Sequence, residues 1–315
     1  MYKNKTIGVV VPAYNEEILI VRVIDTMPDF VDKIIVINDA STDNTASVLE
    51  NEKKHHPHLE IITHTKNQGV GGAIGTGYKR AKEIKIDVTV VMAGDAQMDS
   101  TDLPNIIAPV VNDEVAYSKG NRLFRGESWG MIPHHRYLGN SLLSFLTKIA
   151  SGYWHIADSQ CGYTAISLSA LNLLDLDNIY KKYGVPNDIL IKLNVENLRV
   201  RDISIRPVYN IGEKSGIRLW KVIPTISRLL FRGFFKRLFI KYVIKDFHPL
   251  VLFYCMAFTT IPLSFIFLCR VFYIYYTTGL VPPTSHLLFW FMFVSGLQTL
   301  LFAMWFDMEY NKNLR

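Results

Sequence analysis

Four short β-branched runs recur along the first hundred residues, and each is followed closely by polar residues. Thr6–Val11 leads into Pro12-Ala13-Tyr14-Asn15-Glu16-Glu17, and Lys33–Ile37 leads into Asn38-Asp39. Leu59–Thr63 is followed by Asn67, and Ile86–Met92 by Gly94-Asp95-Ala96-Gln97. Between the runs lie stretches with helical spacing: one to about Met27, one through Val48 and Leu49, and one opened by the Gly-rich segment Asn67–Gly77. Strands alternating with helices predict an α/β domain whose mostly parallel sheet is covered on both faces. Parallel strands end on one edge, so the four polar clusters should face the same way, where open α/β sheets bind ligands.

The glycines fit neither of two common phosphate-binding patterns. The Gly-x-Gly-x-x-Gly pattern fails because Ile74 follows Gly69-Val70-Gly71 at the required position. The phosphate-loop pattern fails because Tyr78 stands where lysine is needed after Gly72 and Gly77. These glycines are instead expected to let backbone approach a ligand and a helix start closely. At the fourth run, an aspartate ending a buried strand with a side-chain amide two residues on suits a divalent cation and its phosphates. Asp99 or Ser100 would cap the next helix.

Charge divides the chain unevenly. Of 34 Lys and Arg, 12 lie after Asn210, whereas only 4 of the 28 Asp and Glu do. The basic excess shares its third of the chain with the long apolar runs, which points to an anionic membrane surface and away from nucleic acid. Cys161, Cys255 and Cys269 form no disulfide framework or metal-binding pair, and a reducing compartment is expected. The N-terminal apolar stretch Ile7–Val11 is too short for a signal peptide.

The segments Val10–Glu17, Asn38–Asp43 and Gly94–Gln97 together resemble the signature motifs of family 2 glycosyltransferases. Their order and spacing are similar to those of polyprenyl-phosphate sugar transferases of the dolichyl-phosphate mannose synthase type, over residues 6 to about 215. That resemblance implies a GT-A fold, a UDP- or GDP-linked sugar donor, Mg²⁺ or Mn²⁺, and inversion at the anomeric carbon. It implies that Pro12, Ala13, Tyr14 and Glu16 line the nucleobase pocket and that Asp39 contacts base or ribose. Asn67, Gly71 and Ala96 would complete the donor side. Asp95 and Gln97 would hold the metal. The family usually writes that motif Asp-x-Asp-x-Gln, but here Ala93 replaces the first carboxylate, with Asp99 as a conceivable substitute.

Downstream, Val115–Ser118 reads as a strand leading to Arg122, and Pro133–Ser141 opens a helix. Arg122 and Arg136 match two arginines that in the related enzymes grip the acceptor phosphate, and a planar guanidinium suits bidentate binding of phosphate oxygens. Asn140 would add a donor. A phosphate acceptor is already ionised and needs no general base; if one is used, Asp158 or Asp188 is the candidate. The adjacent His134 and His135 read as a helix-start detail. Asp95, Arg122, Arg136 and Asp158 are thus the expected catalytic groups. After a late strand at Arg199–Val208, Lys214 and Ser215 match a loop that closes over the donor in relatives.

From Arg218 to Lys245 there are eight basic residues and no acidic one, interleaved with Phe231, Phe234, Phe235 and Phe239. This pattern suits helices lying in the headgroup region. Pro249–Leu268 and Leu287–Phe306 are each about 20 residues and long enough to cross a bilayer. Cys269–His286 should form the loop between them, and the flanking basic residues place both ends on the cytoplasmic side. The expected organisation is a GT-A catalytic domain at 1–215, juxtamembrane helices at 216–246 and a two-span anchor at 247–315, with a homo-oligomer left open. The expected reaction moves a hexose or amino sugar onto a polyprenyl phosphate. Rival readings are a different lipid or a glycan hydroxyl as acceptor, or a non-catalytic membrane scaffold or channel. The Gln-x-x-Arg-Trp motif of processive synthases is absent.

Overall fold

The computed structural model describes residues 1–123, 134–206, 208 and 219–315, without the side chains of 134–138 and 219–222. The chain divides into two compact units, Met1–Phe235 with Leu314–Arg315, and Lys236–Asn313.

In the first unit, the described strands are β1 (Ile7–Ala13), β2 (Lys33–Asn38), β3 (Leu59–Thr63), β4 (Val88–Val91), β5 (Tyr117–Asn121), β6 (Thr164–Ser167) and β7 (Val200–Ser204). They form one sheet in the order β3-β2-β1-β4-β6-β5-β7. The pairs β1–β2, β1–β4, β2–β3 and β5–β7 are parallel, and only β6 runs against its neighbours β4 and β5. The mostly parallel sheet is therefore as the strand–helix alternation predicts. Helices α1 (Ile20–Asp25), α2 (Thr45–Glu52), α3 (Val70–Glu83), α4 (Leu103–Val111), α5 (His134–Ser151), α6 (Leu168–Leu173) and α7 (Val185–Val195) surround it. One core joins α1 and α4 to the sheet through Ile20, Val23, Ile106 and Val110; another joins α3, α6 and α7 through Tyr78, Leu171 and Leu190. Both faces of the central strands are thus dry, which is why their sequences are continuous apolar runs.

Two glycines of α3 have specific packing work. A Cβ on Gly77 would stand 2.2 Å from Val10 Cγ1, and one on Gly71 would stand 2.0 Å from the Tyr180 carbonyl oxygen. The first lets the helix lie directly on β1; the second lets its start meet the chain that precedes α7.

Helix α8 (Leu219–Phe239) carries an exposed apolar row at Phe231, Phe235 and Phe239 and an exposed basic row at Arg228, Arg232 and Lys236. Both rows recur every fourth residue, so each forms a continuous stripe along the helix. A π-helical turn, Ile240–Lys245, follows.

In the second unit, α9 (Leu250–Thr278) and α10 (Pro283–Tyr310) are long and apolar enough to cross a membrane, with mean hydropathies of 2.0 and 1.9. They pack closely because Gly296 has no side chain: a Cβ there would lie 2.7 Å from Thr260 Oγ1. The expected loop at Cys269–His286 is corrected by the structure, since α9 continues through Arg270 to Thr278. A helix need not stop where its apolar run ends; here it stops where Gly279 takes a left-handed φ of +72°.

Two of the basic residues expected in the headgroup layer are instead buried. Arg237 pairs bidentately with Asp307, at 2.8 and 2.9 Å. Tyr242 donates to Asp307 at 2.6 Å, Asn311 donates to Tyr242 at 2.7 Å, and Lys241 donates to Asn311 at 2.7 Å. Burial pushes the Lys241 amine down to about 7, with the charge of Arg237 adding to the effect. Breaking a buried pair on one side strands a charge, whereas replacing both partners with apolar groups does not. Asp307→Leu should therefore lower stability by about 3–5 kcal/mol, and Arg237→Met with Asp307→Leu should recover most of that loss. Thermal unfolding in detergent measures both, and equal losses in the single and double variants would contradict this account.

Candidate active site

The loops after β1 and β2 are laced together at the carboxyl edge of the sheet. Asp39 N–H donates to the Ala13 carbonyl at 2.9 Å. Asn15, with φ +59°, accepts from Thr42 N–H at 2.8 Å, and Glu16 N–H donates to Thr45 Oγ1 at 2.9 Å. Pro12, Ala13 and Glu16 are thereby held against the second loop, while the Tyr14 ring stands 46% exposed beside them and can stack on a planar ligand.

Asp39 is buried and uses both carboxylate oxygens. Oδ1 accepts from Gln68 N–H at 2.8 Å and faces His64 Nδ1 at 2.7 Å, while Oδ2 accepts from Gly69 N–H at 2.8 Å. The far side of the His64 ring meets Thr76 Oγ1 at 2.9 Å. Asp39 therefore anchors the loop that carries exposed Asn67 and leads into α3. Gly71 N–H donates to the Lys181 carbonyl at 2.9 Å. Sequence reasoning did not single out His64 or Thr76, although His64 directly follows β3 and so occupies the same edge as the other strand-end polar residues.

At the end of β4, Gly94 N–H donates to the Pro12 carbonyl at 3.2 Å, which seats this turn beside the first loop. Asp95 Oδ1 then accepts from Gln97 N–H at 3.1 Å around Ala96, whose φ is +55°. That turn fixes the backbone that carries Asp95 and Gln97. Burial pushes the Glu16 carboxyl up to about 7, and the neighbouring charges of Asp95 and Asp43 push in the same direction. A buried Glu16 beside further carboxylates is a donor set that a divalent cation would satisfy, so the residues present fit such an ion. Asp99 is otherwise engaged: its Oδ1 caps the turn at Ser100–Asp102 through Thr101 N–H at 2.9 Å.

The end of β5 delivers Arg122 to a buried carboxylate. Arg122 Nε donates to Asp158 Oδ2 at 2.8 Å and its second guanidinium nitrogen to Oδ1 at 3.2 Å. Burial alone would raise the Asp158 carboxyl, but the Arg122 charge and hydrogen bonds, with Lys119 nearby, hold it below the usual carboxylate range. Lys119 is itself buried and donates to the carbonyls of Asp158 and Cys161 at 2.5 and 3.0 Å. Asp188 lies in the first turn of α7, where it accepts from Tyr180 N–H at 3.0 Å and from Lys192 at 2.6 Å. Arg136 and Asn140 lie in the first two turns of α5, with Asn140 half-buried. The side chains of His134, His135 and Arg136, and the whole of Lys214 and Ser215, lie outside the described residues.

Removing the His64 imidazole from behind Asp39 should have a measurable cost. His64→Ala leaves one Asp39 oxygen and Thr76 short of a partner and should lower stability by about 1–3 kcal/mol. It should also loosen the loop at Gln68–Gly69, read as faster amide exchange there; unchanged exchange and unfolding would show that the contact carries no weight.

The family model for glycosyl transferase family 2 matches residues 8–174. A UDP-N-acetylglucosamine–dolichyl-phosphate N-acetylglucosaminyltransferase of Methanococcus voltae is 33% identical over 219 residues, covering 65% of this chain and 87% of the relative. An undecaprenyl-phosphate mannosyltransferase of Micrococcus luteus is 26% identical over 227 residues, covering 70% of this chain and 91% of the relative. Among solved structures, glucosyl-3-phosphoglycerate synthase of Mycobacterium tuberculosis, in complex with Mn²⁺, UDP and glucosyl-3-phosphoglycerate, superposes with a TM-score of 0.54. It covers 74% of this chain and 80% of that one at 20% identity, and so supports the GT-A-like fold alone. Because the family model spans more than half of the chain and the archaeal relative is matched over most of its length, the protein belongs to glycosyl transferase family 2.

Proposed function

We propose that this protein transfers a sugar from a UDP- or GDP-linked donor to a polyprenyl phosphate at a membrane surface, with inversion. Two relatives carry polyprenyl-phosphate acceptors in their names, one dolichyl and one undecaprenyl. The observation that carries the acceptor assignment is the condition of both candidate bases. Asp158 is locked to Arg122 and held ionised by it, and Asp188 is bound by Lys192. Neither is poised to take a proton from a hydroxyl, whereas a phosphate oxygen attacks without losing one.

On this reading, Tyr14 and the first loop bind the nucleobase, and Asp39 fixes the loop beside it. Asp95 and Gln97 would hold Mg²⁺ or Mn²⁺, which would supply positive charge beside the departing nucleoside diphosphate. Arg122, oriented by Asp158, and Arg136 with Asn140 grip the acceptor phosphate. An acceptor oxygen forms the new bond to the anomeric carbon as the bond from that carbon to the donor diphosphate breaks. The contribution of the protein is alignment and charge. Lys214 would be a further donor-binding residue. The striped α8 and the two apolar helices hold the protein at the lipid, with both termini in the cytoplasm because basic residues flank the spans there.

Purified protein incubated with labelled nucleotide sugars, polyprenyl phosphate and Mg²⁺ or Mn²⁺ should yield labelled lipid, and EDTA should abolish it. Transfer from no donor in a UDP- and GDP-sugar panel would sink the proposal. Asp158→Asn tests the role of the salt bridge. It should raise the acceptor KM by about tenfold or more while changing kcat by less than about threefold. A drop in kcat of about 10²-fold, with loss of the acid limb of the pH–rate profile, would instead make Asp158 a general base.

A further inference from the structure

The amino edge of the sheet, opposite the strand ends that form the candidate active site, carries a second group of metal-competent side chains. Asp25 ends α1, which returns the chain to the start of β2. Glu52 ends α2, and His56 sits one helical turn further on, with its N–H donating to the Glu52 carbonyl at 3.0 Å. His56 Nε2 lies 3.1 Å from Asp25 Oδ1 and 3.5 Å from Glu52 Oε2. The three ligand atoms all lie within 4.8 Å of one another.

We propose that Asp25, Glu52 and His56 form a site for a borderline divalent transition cation, with Zn²⁺ as the leading candidate. Zn²⁺ bonds to imidazole nitrogen and carboxylate oxygen are about 2.0–2.2 Å long, so tetrahedral ligands stand about 3.3–3.6 Å apart. The contact from His56 to Glu52 at 3.5 Å already has that spacing, and the one to Asp25 at 3.1 Å lies just below it. Glu52, the last residue of α2, and His56 are brought together by the turn that the His56 N–H to Glu52 carbonyl bond closes, and Asp25 closes the triad from the end of α1. Two carboxylates with a neutral imidazole cancel the charge of the ion. Imidazole favours zinc over Mg²⁺, which the oxygen-rich donor side is suited to hold.

A cleft of about 410 Å³ runs along the same rim, lined by Asp25, Asp29, His55, His56 and His58. Its floor is fixed, because Ile34 N–H donates to the His58 carbonyl at 2.9 Å. The fourth ligand therefore comes from a water or from a second imidazole of the His55-His56-Pro57-His58 run. Bound zinc would tie the end of α1 to the end of α2. The loops that start those helices form the nucleotide side, so the ion would brace that side from the rear.

The test uses the tag-free full-length chain in detergent, carrying Asp95→Asn so that the donor metal site is weakened. Calorimetric titration with ZnCl₂ should find one ion per chain, undisplaced by millimolar Mg²⁺. His56→Gln, and separately Asp25→Asn, on that background should each weaken binding at least tenfold. Co²⁺ in place of Zn²⁺ should give visible absorption bands of tetrahedral intensity that His56→Gln removes. All three residues are solvent-accessible, and matched thermal unfolding of the metal-free variants verifies that the fold persists. No zinc bound, or zinc bound equally well after both substitutions, would overturn the proposal.

Discussion

The proposed donor side depends on β1 being hydrogen-bonded in parallel on both flanks. With β2 on one side and β4 on the other, Ala13, Asn38 and the turn at Gly94 emerge at one edge. Two backbone contacts beyond the strands, Asp39 N–H to the Ala13 carbonyl and Gly94 N–H to the Pro12 carbonyl, then fix the loops to one another. Glu16, Asp39 and Asp95 come from segments far apart in sequence. Their convergence follows from strand direction and needs little from the loops themselves. Gly77 contributes from behind, since any side chain there would lift α3 away from β1.

Charge is handled differently at the two halves of the proposed site, donor and acceptor. On the donor side, Glu16, Asp43 and Asp95 are brought together with like sign, which leaves electrostatic work for a cation to do. On the acceptor side, the buried carboxylate of Asp158 is neutralised by Arg122 and flanked by Lys119. A guanidinium already held by a carboxylate keeps its orientation, which suits phosphate recognition better than proton transfer. The Asp39–His64–Thr76 chain joins the loop after β2 to α3. It holds the loop between β3 and α3 in place.

The parts of this structure legible in the sequence were those with local signals. Continuous apolar runs marked β1 to β4, and the polar residues after them marked the edge. Strand β6 went unmarked: Thr164–Ser167 is four residues long, and it runs antiparallel between β4 and β5 without a helix to announce it. Long-range partners were equally invisible. Nothing near Arg237 or Lys241 in sequence shows that Asp307 and Asn311 lie 70 residues away and remove them from the surface. Likewise, His64 gave no local sign that it supports Asp39.

The length of α9 bears on which membranes the protein suits. Its 29 residues extend about 43 Å, well beyond a hydrocarbon core of about 30 Å. The excess at its far end is not a greasy overhang: Tyr273, Tyr275 and Tyr276 are 70%, 55% and 91% exposed there. Tyrosines prefer the water–lipid boundary, so they would resist being drawn inward and would set the hairpin's depth. Set across a bilayer, the hairpin would be gauged by these phenols and not by the end of its hydrophobic run, and it would meet a thicker membrane by standing upright or a thinner one by tilting.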